Sequence, residues 1–196
     1  MLGYIKKIIW SRVVLFLVSY LLFVACNKNY KPKPKGYNHI SFPIASYENV
    51  VIKKKYSFEK NVLAKQNKTD SLGWLNLIYK KYGAQVLITY KPINASSELS
   101  NYINESYKLI SQHNKKASSI KETFIKTRRG KGAVIIELKG DVPTQFQFIT
   151  TDSINHFLRG ALYFETATKN DSLAPIIEYI KKDMIHILNT LSWNEE

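Results

Sequence analysis

The sequence predicts an α+β domain, a largely antiparallel sheet covered by two long helices. Three observations lead there. From Asn38 to Phe164, short segments rich in β-branched and aromatic residues are separated by turn-forming clusters. From Ser97 to Lys116 apolar or tolerant side chains recur at three- and four-residue steps, and Leu173 to Leu191 repeats that spacing more strongly. The chain has 196 residues, enough for one domain with a real core, and its 13 Tyr and 9 Phe are too much aromatic surface to leave in water.

The N-terminus comes first. Lys6, Lys7 and Arg12 lead into an apolar run from Val13 to Val24, broken only by Ser19 and Tyr20, which ends in Phe23-Val24-Ala25-Cys26. A basic stretch, an apolar run of about a dozen residues and a small residue describe a secretory signal cut between Ala25 and Cys26. A membrane-spanning helix needs about 20 apolar residues, and an uncleaved anchor would place the domain on the same side. The expected organisation is a lipoprotein signal peptide at 1–25, a Lys/Pro-rich tether at 26–37 and a single globular domain at 38–196. Cys26 is the only cysteine, so there is no internal disulfide and no second thiol for a metal. Small residue then Cys after an apolar run resembles the bacterial lipobox, with Phe23 where the usual motif has Leu. It implies that the Cys26 thiol is acylated, with palmitate-like chains, and that more than one chain makes the anchoring stable.

The formal charge is +14. Cleavage at Cys26 removes three of the 29 basic residues and none of the 15 acidic ones, leaving +11. An exported cationic protein meets anionic headgroups, lipopolysaccharide, cell wall and acidic proteins, so nucleic acid is disfavoured by compartment, not by chemistry. Lys28, Lys31, Lys33 and Lys35 alternate with Pro32 and Pro34 in the tether. Such a segment is extended, about 3.1 Å per residue, and its lysines lie near the lipid surface.

Within the domain, His39 to Phe42 and Val50 to Phe58 read as strands, and Asn61 to Asp70 as a loop. Gly73 to Tyr79 and Ala84 to Tyr90 flank a turn at Lys81-Tyr82-Gly83; Val86, Ile88 and Tyr90 form a buried face against half-buried Gln85, Leu87 and Thr89. The first helix turns Leu99, Tyr102, Ile103, Ser106, Ile110 and His113 to one side. Ile120 to Thr127 and Ala133 to Lys139 read as a hairpin with Arg128-Arg129-Gly130-Lys131-Gly132 at its tip. Gln145 to Thr151 and Phe157 to Phe164 are two more strands, Phe146 and Phe148 on one face and Leu158, Leu162 and Phe164 on another. The last helix carries Leu173, Ile176, Ile177, Ile180, Met184, Ile187, Leu188 and Leu191 on one side, with Asp171-Ser172 as cap and Pro175 in its first turn.

Chemistry is sparse. The lone thiol is committed to lipid, the four His are scattered without ligand spacing, and there is no nucleophile elbow or phosphate loop. No catalytic residue, metal or cofactor is expected, and the chain reads as no enzyme. His113 and His186 lie on or beside apolar helix faces and read as packing residues. Arg159 is the one charge in His156-Phe157-Leu158-Arg159-Gly160-Ala161-Leu162-Tyr163-Phe164. Alternation puts it beside Phe157 and Tyr163, opposite Leu158, Gly160, Leu162 and Phe164. It must be paired or reach solvent: the expectation is a structural ion pair, with the rings stacked and a carboxylate nearby, or a strand end open to water, or else Phe157, Arg159 and Tyr163 form a contact face for another molecule. Asp-Ser-aliphatic tripeptides at Asp70, Asp152 and Asp171 resemble an O-glycosylation signal of exported Bacteroidota proteins, with Ser71 the best acceptor; ordinary turn and cap chemistry is the favoured explanation.

Taken in order, Tyr30 to Tyr37 after the cysteine, Phe42-Pro43, Trp74 to Tyr79 leading to Tyr90-Lys91, Thr151-Asp152-Ser153 with His156 to Phe164, Asp171 to Pro175 and the final helix with Trp193 resemble the gliding-motility-associated lipoprotein GldD family of Bacteroidota. The resemblance implies a non-enzymatic, envelope-anchored accessory of gliding motility and of the associated type IX secretion machinery. Its partners would be other gliding or secretion envelope proteins, with membrane lipid held through Cys26. The alternative is a periplasmic binding module for an acidic glycan or lipid. Asn27-Lys28-Asn29 lacks both an inner-membrane retention aspartate and an acidic surface-export stretch, which leaves the periplasmic face of the outer membrane.

Overall fold

The structure, a computed structural model, describes residues 2–24, 40–53, 55–67, 72–113, 116–164 and 170–194. It divides into two compact units, Met1–Tyr37 and Asn38–Glu196. In the first, α1 (Leu2–Val24) runs through the basic and apolar halves of the expected signal, with Trp10, Leu15 and Phe16 exposed. Among the described residues no helix is long and apolar enough to cross a membrane. Ala25, Cys26 and the tether lie outside the described residues.

The second unit is α+β, as the patterning predicts. Its large sheet has the order β3-β4-β5-β9-β8-β7-β6, antiparallel throughout. These strands are β3 (Lys65–Gln66), β4 (Leu75–Tyr79), β5 (Ala84–Pro92), β6 (Ala117–Lys126), β7 (Gly132–Gly140), β8 (Phe146–Thr151) and β9 (His156–Phe164). A small sheet pairs β1 (Tyr47–Ile52), β2 (Tyr56–Asn61) and β10 (Ser192–Trp193). Two-residue alternation builds β5 as expected: Ala84, Val86, Ile88 and Tyr90 are buried, Gln85, Leu87 and Thr89 half-buried. After β5 the chain crosses one sheet face as α2 (Ser96–Ser111), reaches the far edge as β6, and returns through three hairpins to close β9 on β5.

Each sheet face has its own core. On one, α3 (Asn170–Thr190) packs against β2 and β7, and its stripe buries Ile180, Met184, Ile187 and Leu188 almost completely, with Leu191 just past its end. At about 2 kcal/mol per side chain these five residues contribute roughly 10 kcal/mol before conformational entropy is subtracted. On the other face Leu99, Tyr102, Ile103 and Ile110 of α2 pack on Ile136, Leu138, Val142, Ile149 and Phe157. Glu98 caps α2 by accepting from the N–H groups of Asn94 and Ala95 at 2.7 and 3.3 Å.

Several local expectations change. The segment read as a loop from Asn61 carries the end of β2 and the short strand β3, which pairs with Leu77 and Ile78 of β4 and so takes strand form despite its polar sequence. Val50 to Phe58 is two strands, because the chain reverses between Ile52 and Tyr56 through Lys53 at φ 44°, with the Lys55 N–H donating to the Ile52 carbonyl. Residues 40–42 form no strand, since no neighbouring strand offers them a ladder; Phe42 instead stacks on Tyr179 at 4.7 Å. Phe146 and Phe148 share the face of Leu158 and Leu162, because Phe148 lies directly opposite Gly160 and occupies the space a side chain there would take. α3 begins at Asn170, so Pro175 falls inside it and offers no N–H to the Asp171 carbonyl.

Candidate functional site

Strand β9 carries the residues that sequence reasoning singled out, and the register resolves them. Leu158 and Leu162 face α3, while Phe157, Arg159, Ala161 and Tyr163 face the α2 side. Phe157 is 2% exposed, held beneath Tyr102 with ring centres 5.6 Å apart. Of the three proposed contacts only half-buried Arg159 and Tyr163 reach the surface. Arg159 donates from Nη2 to Oε1 of Gln147 on β8. Its partner among the described residues is therefore an amide and not the expected carboxylate. A cleft of about 190 Å3 opens beside it, lined by Arg159, Phe157, Tyr102, Trp74, Lys91 and Glu105. Lys91 pairs with Glu105 and stands 4.7 Å over the Tyr102 ring, so these two charges neutralise each other at the mouth. His113 is held below its ordinary value by burial and by the Arg159 cation.

The start of β9 forms a second constellation. Asp152 Oδ1 accepts from the N–H groups of Ile154, Asn155 and His156 at 2.9–3.0 Å. Burial pushes the Asp152 carboxyl up, but these three donors and the His156 ring more than offset it, and its pKa lies below the usual range. His156 Nδ1 is 2.8 Å from the Tyr90 hydroxyl, and its ring stacks on Trp193 at 5.0 Å. Lys131, from the basic hairpin tip, sits over Trp193 at 5.6 Å, and Lys55 over Tyr90 at 5.2 Å. A cavity of about 580 Å3 adjoins them, lined among others by Lys55, Asn94, Asn155, His156 and Asn194. The Thr151-Asp152-Ser153 segment thus builds the turn that starts β9, with Ser153 at φ 66° and its N–H donating to Thr151 Oγ1.

The third cluster was not legible as a site. Asp183 of α3 is 1% exposed and accepts from the hydroxyls of Tyr47 and Tyr79 at 2.9 and 3.1 Å and from the Asn61 amide at 3.0 Å. Burial raises its pKa, and the three donors recover only part of that. The carboxylate in turn pushes Tyr79 up, behind the larger effect of burial. Beside it His186 pairs with Glu59 at 2.7 Å and stacks on Tyr47 at 3.7 Å, the packing role expected of this histidine. The available signal was Asp183 itself, a carboxylate three residues after Ile180 and four before Ile187 in the apolar stripe.

Among the described residues no group of three His, Cys, Asp or Glu is placed to hold a metal. Ser71, the glycosylation candidate, lies outside the described residues, as do Ala25 and Cys26. Chemically, the Asp152 and Asp183 clusters hold carboxylates with several donors each, an arrangement that locks segments together.

No curated protein is similar enough in sequence to match. Among solved structures, the solution structure of cyanobacterial PsbP (CyanoP) from Synechocystis sp. PCC 6803 is similar at 12% identity, covering 82% of this chain and 99% of that one, with a TM-score of 0.42. The profile of one family matches residues 27–193, taking in β9 and its turn, both helices and Trp193. The chain belongs to the gliding motility lipoprotein GldD family.

Proposed function

We propose that this gliding motility lipoprotein is held by an acylated Cys26 on the periplasmic face of the outer membrane, and that it serves without enzymatic activity as an accessory or assembly factor for gliding and for the associated type IX secretion system. The family match across residues 27–193 carries the reading. The geometry supports it: Asp152 and Asp183 are engaged by backbone and side-chain donors within the fold, and the strongly cationic chain suits acidic envelope partners. In a complemented deletion strain, spreading on surfaces and secretion of type IX cargo are both expected to fall. Normal spreading with normal secretion would remove the assignment. Mass spectrometry of the mature N-terminus tests the anchor, and an unmodified thiol at Cys26 in protein from the native host would sink it.

A second reading, a periplasmic binding module for an acidic glycan or lipid, is favoured by the cavity beside Lys55 and His156. Co-purification separates the two. A stoichiometric protein partner supports the assembly factor, and a retained glycan or lipid supports the binding module.

A further inference from the structure

Strand β6 pairs with β7 from Ala117↔Gly140 to Lys126↔Gly132, and among the described residues no strand pairs with its other side. Along this ten-residue strand alternate residues bond to β7, and the outward-pointing half of the N–H and C=O groups meets no strand among the described residues. The opposite edge is treated differently: β3 is only two residues long. Seven of the ten β6 side chains are exposed, the exceptions being half-buried Ala117, Thr123 and Ile125. On the α2 face the edge shows Ile120, 41% exposed, and Phe124, 73% exposed. The Phe124 ring lies across Gly132 of β7, where a Cβ would stand 3.2 Å from two ring carbons, so one side of the ring has a backbone floor and the rest is open.

We propose that β6 is the docking edge for an extended, acidic segment of a partner polypeptide, which joins the large sheet as an additional strand. Charge selects this occupant. Lys116, Lys121, Lys126, Arg128, Arg129 and Lys131 lie on or beside the edge; of the carboxylates there, Glu122 is engaged by the Tyr107 hydroxyl, and Glu137, opposite Lys121 on β7, pairs with Lys181. A second copy pairing edge to edge would bring these cations against their own like, which opposes it. The chemistry that fits alternates apolar side chains, over Ile120 and Phe124 on one face, with Asp or Glu beside Lys121 on the other, and ends in an acidic residue beside Lys126. This gives the assembly reading above a class of partner and rests on it. Its test is made in vitro while that reading is tested by spreading in cells, so the two fail separately.

Random peptides of about twelve residues, panned against the full-length protein in detergent, are expected to enrich alternating apolar and acidic sequences. Those peptides should slow amide exchange within residues 117–126 by about tenfold or more, and lose affinity as salt is raised. Phe124→Asp and, separately, Ile120→Asp are expected to weaken binding by about tenfold with unchanged melting, since both side chains are exposed. Four results each overturn the proposal: no enrichment, enrichment of basic or uncharged sequences, protection outside β6, or self-association abolished by Phe124→Asp.

Discussion

Replacing Asp183 by Ala removes the acceptor on which three elements converge. Tyr79 and Asn61 are each 1% exposed, so their hydroxyl and amide would be left in the interior without that acceptor. A buried donor so orphaned costs about 1–3 kcal/mol. Asn61 keeps its bond to the Tyr179 hydroxyl, and the half-buried Tyr47 hydroxyl can turn to water, so both fall at the low end. Against these losses stands the relief of burying a carboxylate, which holds the net destabilisation to about 3 kcal/mol. For a domain of this size that corresponds to a melting point lower by roughly 6–12 °C. Urea unfolding followed by tryptophan fluorescence measures it, with Tyr79→Phe alongside; that variant leaves the carboxylate two donors and should cost about 1 kcal/mol. If Asp183→Ala costs no more than Tyr79→Phe, the carboxylate does not organise the cluster and the reasoning is wrong.

Gly160→Ala would place a Cβ 2.3 Å from the Phe148 ring between two buried strands, and thermal melts should show a loss of about 3 kcal/mol or non-folding. Arg159→Ala leaves Gln147 without its donor and is expected to cost about 1–3 kcal/mol in a denaturant melt; wild-type stability with lost spreading would instead make Arg159 and Tyr163 a contact surface. The two perturbed aspartates predict opposite pH trends. Asp183, raised when folded, favours the native state at low pH and loses that advantage as pH climbs from its ordinary 3.8 through the raised value; Asp183→Asn should flatten this slope in melts across that range. Asp152, lowered when folded, contributes stability above 3.8 that disappears as pH falls through its depressed value, and Asp152→Asn should abolish that loss.

The parts of the fold that the sequence made legible are those where one physical rule dominates. Alternation gave β5 and both faces of β9, and the apolar stripe gave α3, because burial alone decides those positions. What escaped depends on pairing across distance. No local pattern says that Phe148 faces Gly160, that the chain reverses at Lys53, or that Asp183 meets Tyr47 and Tyr79 more than a hundred residues away. The Arg159 expectation fails in the same way: the strand face could be read, but the partner across it, Gln147, is set by the β8–β9 register. Family identity was legible because it rests on ordered local segments, among them Thr151-Asp152-Ser153, which the structure shows building the turn into β9.

The route of the chain through its sheets also bears on how it becomes native. β5 closes on β9 some 70 residues later, and β2 receives β10 only at Ser192 and Trp193. Contact order is therefore high, and folding belongs to the slow, non-local class. A chain emerging N-terminus first can zip local hairpins such as β1–β2 and β4–β5, but the large sheet cannot close until β9 has emerged at Phe164, and the small sheet not until Trp193. The polypeptide thus stays threadable for most of its length, the condition that passage across a membrane in unfolded form requires.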